Sequence, residues 1–318
     1  MQKLFVLFVL GALAALPIRV PGQSGLWGSR DAYLGQKPVA DTPQIFAPGL
    51  LASKDTFALD RVAFSDDGRE FYYPTNNTWF SSVNAKIRYF RFESGRWRGP
   101  FVLVPHYYAP TFSMDGQTLI VEGGERDTLH WTIYRMDRKA DGGWTGPVPY
   151  LREPYGLYMF MPTASGVCYA GSNGHQGKLR DFSTYDICRL RMAGGDTTIE
   201  SLGPPINTPG FEGDFYVARD ESYIILSAKE TPTYECELDI SFHRPDGSWT
   251  APVGLGPLIN DGVAHRWGEY VSPDGRYLFY SRGTSPKDCH VYWVRWDGLL
   301  ERLRAQVLGG SSSDWTGV

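Results

Sequence analysis

Beyond its first residues the chain has no long apolar run, it has only four cysteines in 318 residues, and its lysines and arginines are not clustered. A bilayer span needs about 20 apolar residues, so a membrane helix is excluded after residue 16. The formal net charge of −4 argues against nucleic-acid and anionic-membrane partners, which reward clustered cations. No Gly-x-Ser-x-Gly elbow and no phosphate-cradling glycine loop is present, which disfavours serine hydrolases and nucleotide enzymes. The six histidines, His106, His130, His175, His243, His265 and His290, show no ligand spacing, so no metal and no cofactor is expected. Helical periodicity is nearly missing; the exception is 299–307, where Leu299, Leu300, Leu303 and Val307 could share a face.

What is abundant is aromatic, glycine and proline: 14% Phe, Trp and Tyr, 36 Gly and 22 Pro, the mix of short strands joined by tight turns. Five times an apolar run meets an Asp/Gly-type turn and a second apolar run leaves it. The turns are Phe64-Ser-Asp-Asp-Gly68, Phe112-Ser-Met-Asp-Gly116, Met161-Pro-Thr-Ala-Ser-Gly166, Val217-Ala-Arg-Asp-Glu221 and Val271-Ser-Pro-Asp-Gly275. Their last residues stand 48, 50, 55 and 54 positions apart. A fixed period of this length marks a β-propeller, whose four-stranded unit cannot bury its own faces and must stack on its neighbours.

A third, alternating strand and a Pro-interrupted fourth follow in each unit, at 99–103, 146–150, 202–206 and 251–255. The fifth unit lacks a fourth strand, and 42–49 has the missing strand's Pro-punctuated, apolar character. The expectation is an all-β, five-bladed β-propeller over 33–308, closed by that N-terminal strand, with six blades if 33–60 forms one of its own. Residues 309–318 read as a tail. Lys3 and the uncharged Leu4 to Leu16 read as a signal peptide over 1–22, hence a periplasmic or secreted protein with no membrane insertion once it is removed, an uncleaved anchor being the alternative. Cys168 and Cys188 could pair across a hairpin, or stay buried as small apolar groups.

The last unit, Glu269-Tyr-Val-Ser-Pro-Asp-Gly-Arg-Tyr-Leu-Phe-Tyr280 followed by His290-Val-Tyr-Trp293, resembles the Pro-Asp-Gly repeat of TolB-type and WD-repeat-like propellers. Ser165-Gly166 and Asp220-Glu221 depart from it. The resemblance implies a fold used as a binding platform, as a domain appended to hydrolases, or as a catalytic scaffold.

The Asp-Gly turns share one face, so long, variable loops fall on the other, where function is expected. Aligning the units places Asp60, Arg61, Tyr107, Tyr108, Tyr158, Glu212, Asp214, His265, Arg266, Trp267 and Glu269 at the channel mouth there. The first expectation is a non-enzymatic binder of a protein or peptide, with a glycan as another ligand. The rival is a carbohydrate-active enzyme with Glu269 and Asp214 as acid and base and tyrosines stacked on sugar rings. A mere spacer is the third.

Overall fold

The computed structural model describes residues 25–309 apart from 80, 82, 124–131, 152–156, 177–183, 195 and 210–211. Five antiparallel sheets form a ring, the arrangement of a five-bladed β-propeller. The residues expected to form a signal peptide, 1–22, and nearly all of 309–318 lie outside the described residues.

Blade 1 contains Phe57–Ala58 and Ala63–Phe64 as an interrupted inner strand, then Glu70–Asn76, Lys86–Glu93 and Arg96–Pro105. Blade 2 runs through Tyr107–Phe112, Thr118–Gly123, Thr132–Asp137 and Val148–Leu151, and blade 3 through Leu157–Pro162, Cys168–Ser172, Asp186–Ala193 and Asp196–Ser201. Blade 4 is Phe215–Val217, Tyr223–Ala228, Glu237–Phe242 and Val253–Gly254. Blade 5 is His265–Val271, Tyr277–Ser285 and Asp288–Arg295, completed from the other end of the chain by Gln44–Ile45.

The repeated turn has a repeated cause. In blade 1 the Ser65 hydroxyl donates to Asp67 (2.7 Å) and accepts from the Glu70 amide (2.9 Å), bracketing Gly68 at φ +71°. Ser113 with Asp115 and Ser272 with Asp274 repeat the bracket. The two departing turns meet instead: Glu221, itself at φ +60°, accepts hydrogen bonds from Thr163 (2.7 Å), Tyr169 (3.0 Å) and Ser165 across the seam between blades 3 and 4.

Closure by 42–49 is as expected: Gln44 faces Trp293 and Ile45 faces Tyr292, and Phe46 is buried against Phe64, Phe71, Phe279 and Trp293. Residues 33–60 form no sixth blade. Tyr33 inserts among Phe64, Tyr277 and Trp293, because its aromatic surface finds a partner in the seam and none in a sheet of its own. The helix expected at 299–307 is Asp297–Leu308, and Leu299, Leu300, Leu303 and Val307 do share the face that packs on the core.

Blade 3 corrects the reading of its fourth strand, which is Asp196–Ser201 and not 202–206. Pro204 and Pro205 cannot donate to a ladder, and their segment turns instead, the Ile206 amide donating to the Gly203 carbonyl (3.1 Å). All four cysteines are free; Cys168 faces Leu190 while Cys188 faces Ala170, so the two are out of register. No described helix is long and apolar enough to cross a membrane.

Candidate functional site

Inner strands deliver their first residues to the channel mouth, and here they are bent on purpose. Pairing with the second strand shifts between Tyr108 and Thr111, Tyr158 and Met161, and Trp267 and Tyr270. Ala109, Met159 and Gly268 within these bulges have φ of +45°, +53° and +65°. Asp60, in the break of blade 1's inner strand, stands at +65°, a region Asp tolerates better than most residues. Bulges of this kind re-aim side chains beside functional sites. At Gly268 only glycine fits, since a Cβ would lie 2.4 Å from the Asp60 carbonyl carbon.

At the centre sits Arg61, fully buried. Its guanidinium donates to Thr111 Oγ1 (2.9 Å), the Phe160 carbonyl (3.1 Å) and the Phe215 carbonyl (3.3 Å), so one side chain ties the inner strands of blades 2, 3 and 4. Toward the Asp-Gly turns a cavity of about 40 Å³ lies against it, lined also by Met161, Tyr216, Arg219 and Tyr270.

Four carboxyl groups share its field: Asp60, Glu122, Asp214 and Glu269. Glu122 accepts from the Phe160 amide (2.9 Å), Asp214 from the Gly268 amide (3.1 Å), Glu269 from the Ser227 hydroxyl (2.7 Å) and Asp60 from the Arg61 amide (2.5 Å). The second oxygens of Glu122 and Glu269 are buried without a hydrogen-bond partner among the described residues. Asp60 and Asp214 stay half-buried. Four acids around one guanidinium cannot all ionise away from water at small cost. Burial pushes Glu122 and Glu269 up to about 7, against the pull of Arg61. Burial also raises Asp214, helped by the charges of Asp60 and Glu269, and raises Asp60, opposed by the Arg61 amide bond and charge. All four are therefore shifted toward their protonated forms, with Glu122 and Glu269 poised near neutral pH.

Of the residues aligned at the mouth, Asp60, Arg61, Asp214 and Glu269 share this one charged group. Other expected mouth residues have structural contacts. Tyr107 packs edge-on against Tyr134 in the seam of blades 1 and 2. The Tyr108 hydroxyl accepts from Asn76 (2.7 Å) and donates to the Ser81 carbonyl. Tyr158 donates to the Glu212 and Gly213 carbonyls and stacks on Tyr185. Glu212 accepts from Thr208 through both amide and hydroxyl (2.6 Å each). Arg266 is buried, and its guanidinium donates to the carbonyls of Cys236, Ile259, Asp261, Gly262 and Ala264. His265 and Trp267 form a second cluster, stacked at 4.0 Å with Trp79 edge-on to both.

Glu122 escaped the sequence reading. Its signal is positional: six residues past each turn stand Pro74, Glu122, Ser172, Ser227 and Ser281. Ser227 and Ser281 donate to inner-strand carbonyls of the next blade, Arg266 (2.7 Å) and Asp60 (3.3 Å), and Glu122 is the one carboxyl in that row.

No family model and no curated protein matches the chain. Among solved structures it is similar to a periplasmic gluconolactonase of Pseudomonas aeruginosa (14% identity, 73% of this chain and 66% of that one, TM-score 0.43). It is similar as well to a thermostable family-43 glycoside hydrolase (14%, 81% and 91%, 0.46) and to TolB of Acinetobacter baumannii (16%, 74% and 54%, 0.37). The chain spans less than two thirds of the gluconolactonase's and of TolB's own length. Likeness at this level assigns no activity. It does correct the expectation of a non-enzymatic binder, because propellers of this shape include enzymes and the fold fixes no such role.

Proposed function

We propose that the chain is a carbohydrate-active hydrolase whose acid/base chemistry runs on the channel carboxyls. The observation that carries this reading is the convergence of Asp60, Glu122, Asp214 and Glu269 on Arg61, with Glu269 lifted to about 7. Pairs of acids whose surroundings push their protonation apart are what glycoside hydrolysis uses. Glu269 is the protonated acid that gives its proton to the departing sugar oxygen. Asp60, half open to the mouth, raised by burial and held back from rising further by the Arg61 amide and charge, takes the proton of the attacking water or attacks in its place once ionised. Asp214, fixed by the Gly268 amide and pushed by burial toward its protonated form, lies in the same charge field as both.

A panel of oligosaccharides is the test. Wild type should hydrolyse one class, and Glu269→Gln and Asp60→Asn should each lower kcat/KM by about 10²- to 10⁴-fold. Because Glu269 acts as the acid, the rate should fall as pH rises above about 7. No turnover across the panel, or an unchanged rate in Glu269→Gln, overturns the reading.

Export belongs to the same proposal, supported by Lys3 and the uncharged stretch Leu4 to Leu16, as does kinship with TolB-type propellers, supported by the last unit's Pro-Asp-Gly turn. The intact mass of the protein recovered from envelope and culture fractions should lack about residues 1–22; a full-length mass contradicts export.

A further inference from the structure

We propose that Glu230, Cys236 and His265 form a binding site for a divalent metal of the zinc class on the loop-rich rim between blades 4 and 5. Each offers one donor atom, and the three atoms lie within 4.8 Å of one another, the only such group among the described residues. This goes beyond the acid/base reading, because none of the three is among the channel acids.

The scaffold holds the donors in place. Glu230 and Cys236 sit at the two ends of the loop between Tyr223–Ala228 and Glu237–Phe242, and His265 opens the inner strand of the next blade. The Cys236 amide donates to the Ala264 carbonyl (3.1 Å), locking loop to strand. The His265 ring is fixed by its stack on Trp267 and by Trp79. Gly213 leaves the room Glu230 occupies, since a Cβ there would stand 3.1 Å from the carboxyl.

The chemistry of the set selects the metal. A sulfur, an imidazole nitrogen and a carboxylate oxygen suit zinc and its cobalt mimic, whereas calcium and magnesium want oxygen alone. Arg266 orients the sulfur: its amide donates to Cys236 Sγ (3.2 Å) and its guanidinium to the Cys236 carbonyl (2.8 Å). Three protein ligands leave a fourth position, and one of the three, His265, also lines a cavity of about 330 Å³ with Trp79, Tyr234 and Glu235.

Burial disfavours charge on all three groups, pushing Cys236 and Glu230 up and His265 down. Binding replaces the S–H proton, now donated to the Arg266 carbonyl (2.9 Å), and the carboxyl proton where Glu230 carries one. Both leave to solvent, so affinity rises with pH.

Cobalt(II) titrated into the chelator-stripped full chain should bind one to one and give a thiolate-to-cobalt charge-transfer band that zinc abolishes. Cys236→Ser should lose the band, Glu230→Gln and His265→Ala should weaken binding at least tenfold, and Cys168→Ser should change nothing. If Cys236→Ser does not fold, Glu230→Gln and His265→Ala carry the test. No band with stoichiometric cobalt, or a band that survives Cys236→Ser or is unaffected by Glu230→Gln and His265→Ala, overturns the site. A failed glycoside screen with a positive cobalt titration leaves the metal site standing, and the reverse pattern leaves only the hydrolase.

Discussion

Arg61 decides the electrostatics of the mouth because it is a buried cation among four acids, hydrogen-bonded across three blades. Glu122 gives the sharpest residue-level consequence. Its carboxyl sits at about 7 in the folded chain against about 4.5 ordinarily. Its contribution to stability is therefore greatest below about pH 4.5 and is lost as pH rises through about 7, worth about 3 kcal/mol in all. Glu122→Gln keeps an acceptor for the Phe160 amide and cannot ionise. Its Tm advantage over wild type should grow between pH 5 and 8, and a constant difference would count against the assignment. Gly268→Ala should cost at least about 2 kcal/mol in a denaturant melt, from a clash with Asp60 and a strained φ; an unaltered midpoint would contradict the close approach. Asp60, Arg61 and Asp214 were legible because they shortly precede inner-strand segments, and Glu269 because it lies within the inner strand that leads into its Asp-Gly turn. Tyr107, Tyr108 and Tyr158 were misleading as stacking walls, because the sequence does not reveal that their rings and hydroxyls already have partners inside the protein.

At the level of elements, most strands could be placed from the spacing of the turns, since Ser-x-Asp-Gly builds the same bracket wherever it occurs. Bulges could not be read that way. Ala109 and Met159 look like ordinary strand residues, and only pairing with the neighbouring strand exposes the slip. The two irregular turns show why deviations come in pairs: Glu221 replaces the turn glycine and takes the hydroxyls of Ser165 and Thr163 from the facing blade. Glu221→Ala should cost about 1–3 kcal/mol by leaving those donors unpaired. Combined with Ser165→Ala the losses should fall short of additive in denaturant melts, whereas strict additivity would mean the contact carries no coupling.

For the whole molecule, the ring is held shut by a strand from the far end of the chain. Phe46 fills the closing seam, and Phe46→Ala should lower stability by about 3–5 kcal/mol in a thermal or urea melt; a loss under about 1 kcal/mol would mean that closure rests elsewhere. A closed ring is also what gathers carboxyls from four blades, far apart in the chain, onto one axis. That convergence is most directly read by carbon-13 NMR titration of the aspartate and glutamate carboxyls. Three glutamate signals, those of Glu122, Glu230 and Glu269, should titrate near pH 7, and one of them should vanish in Glu269→Gln. If every carboxyl titrates between about pH 3 and 5, the acids do not share a buried site and the account fails.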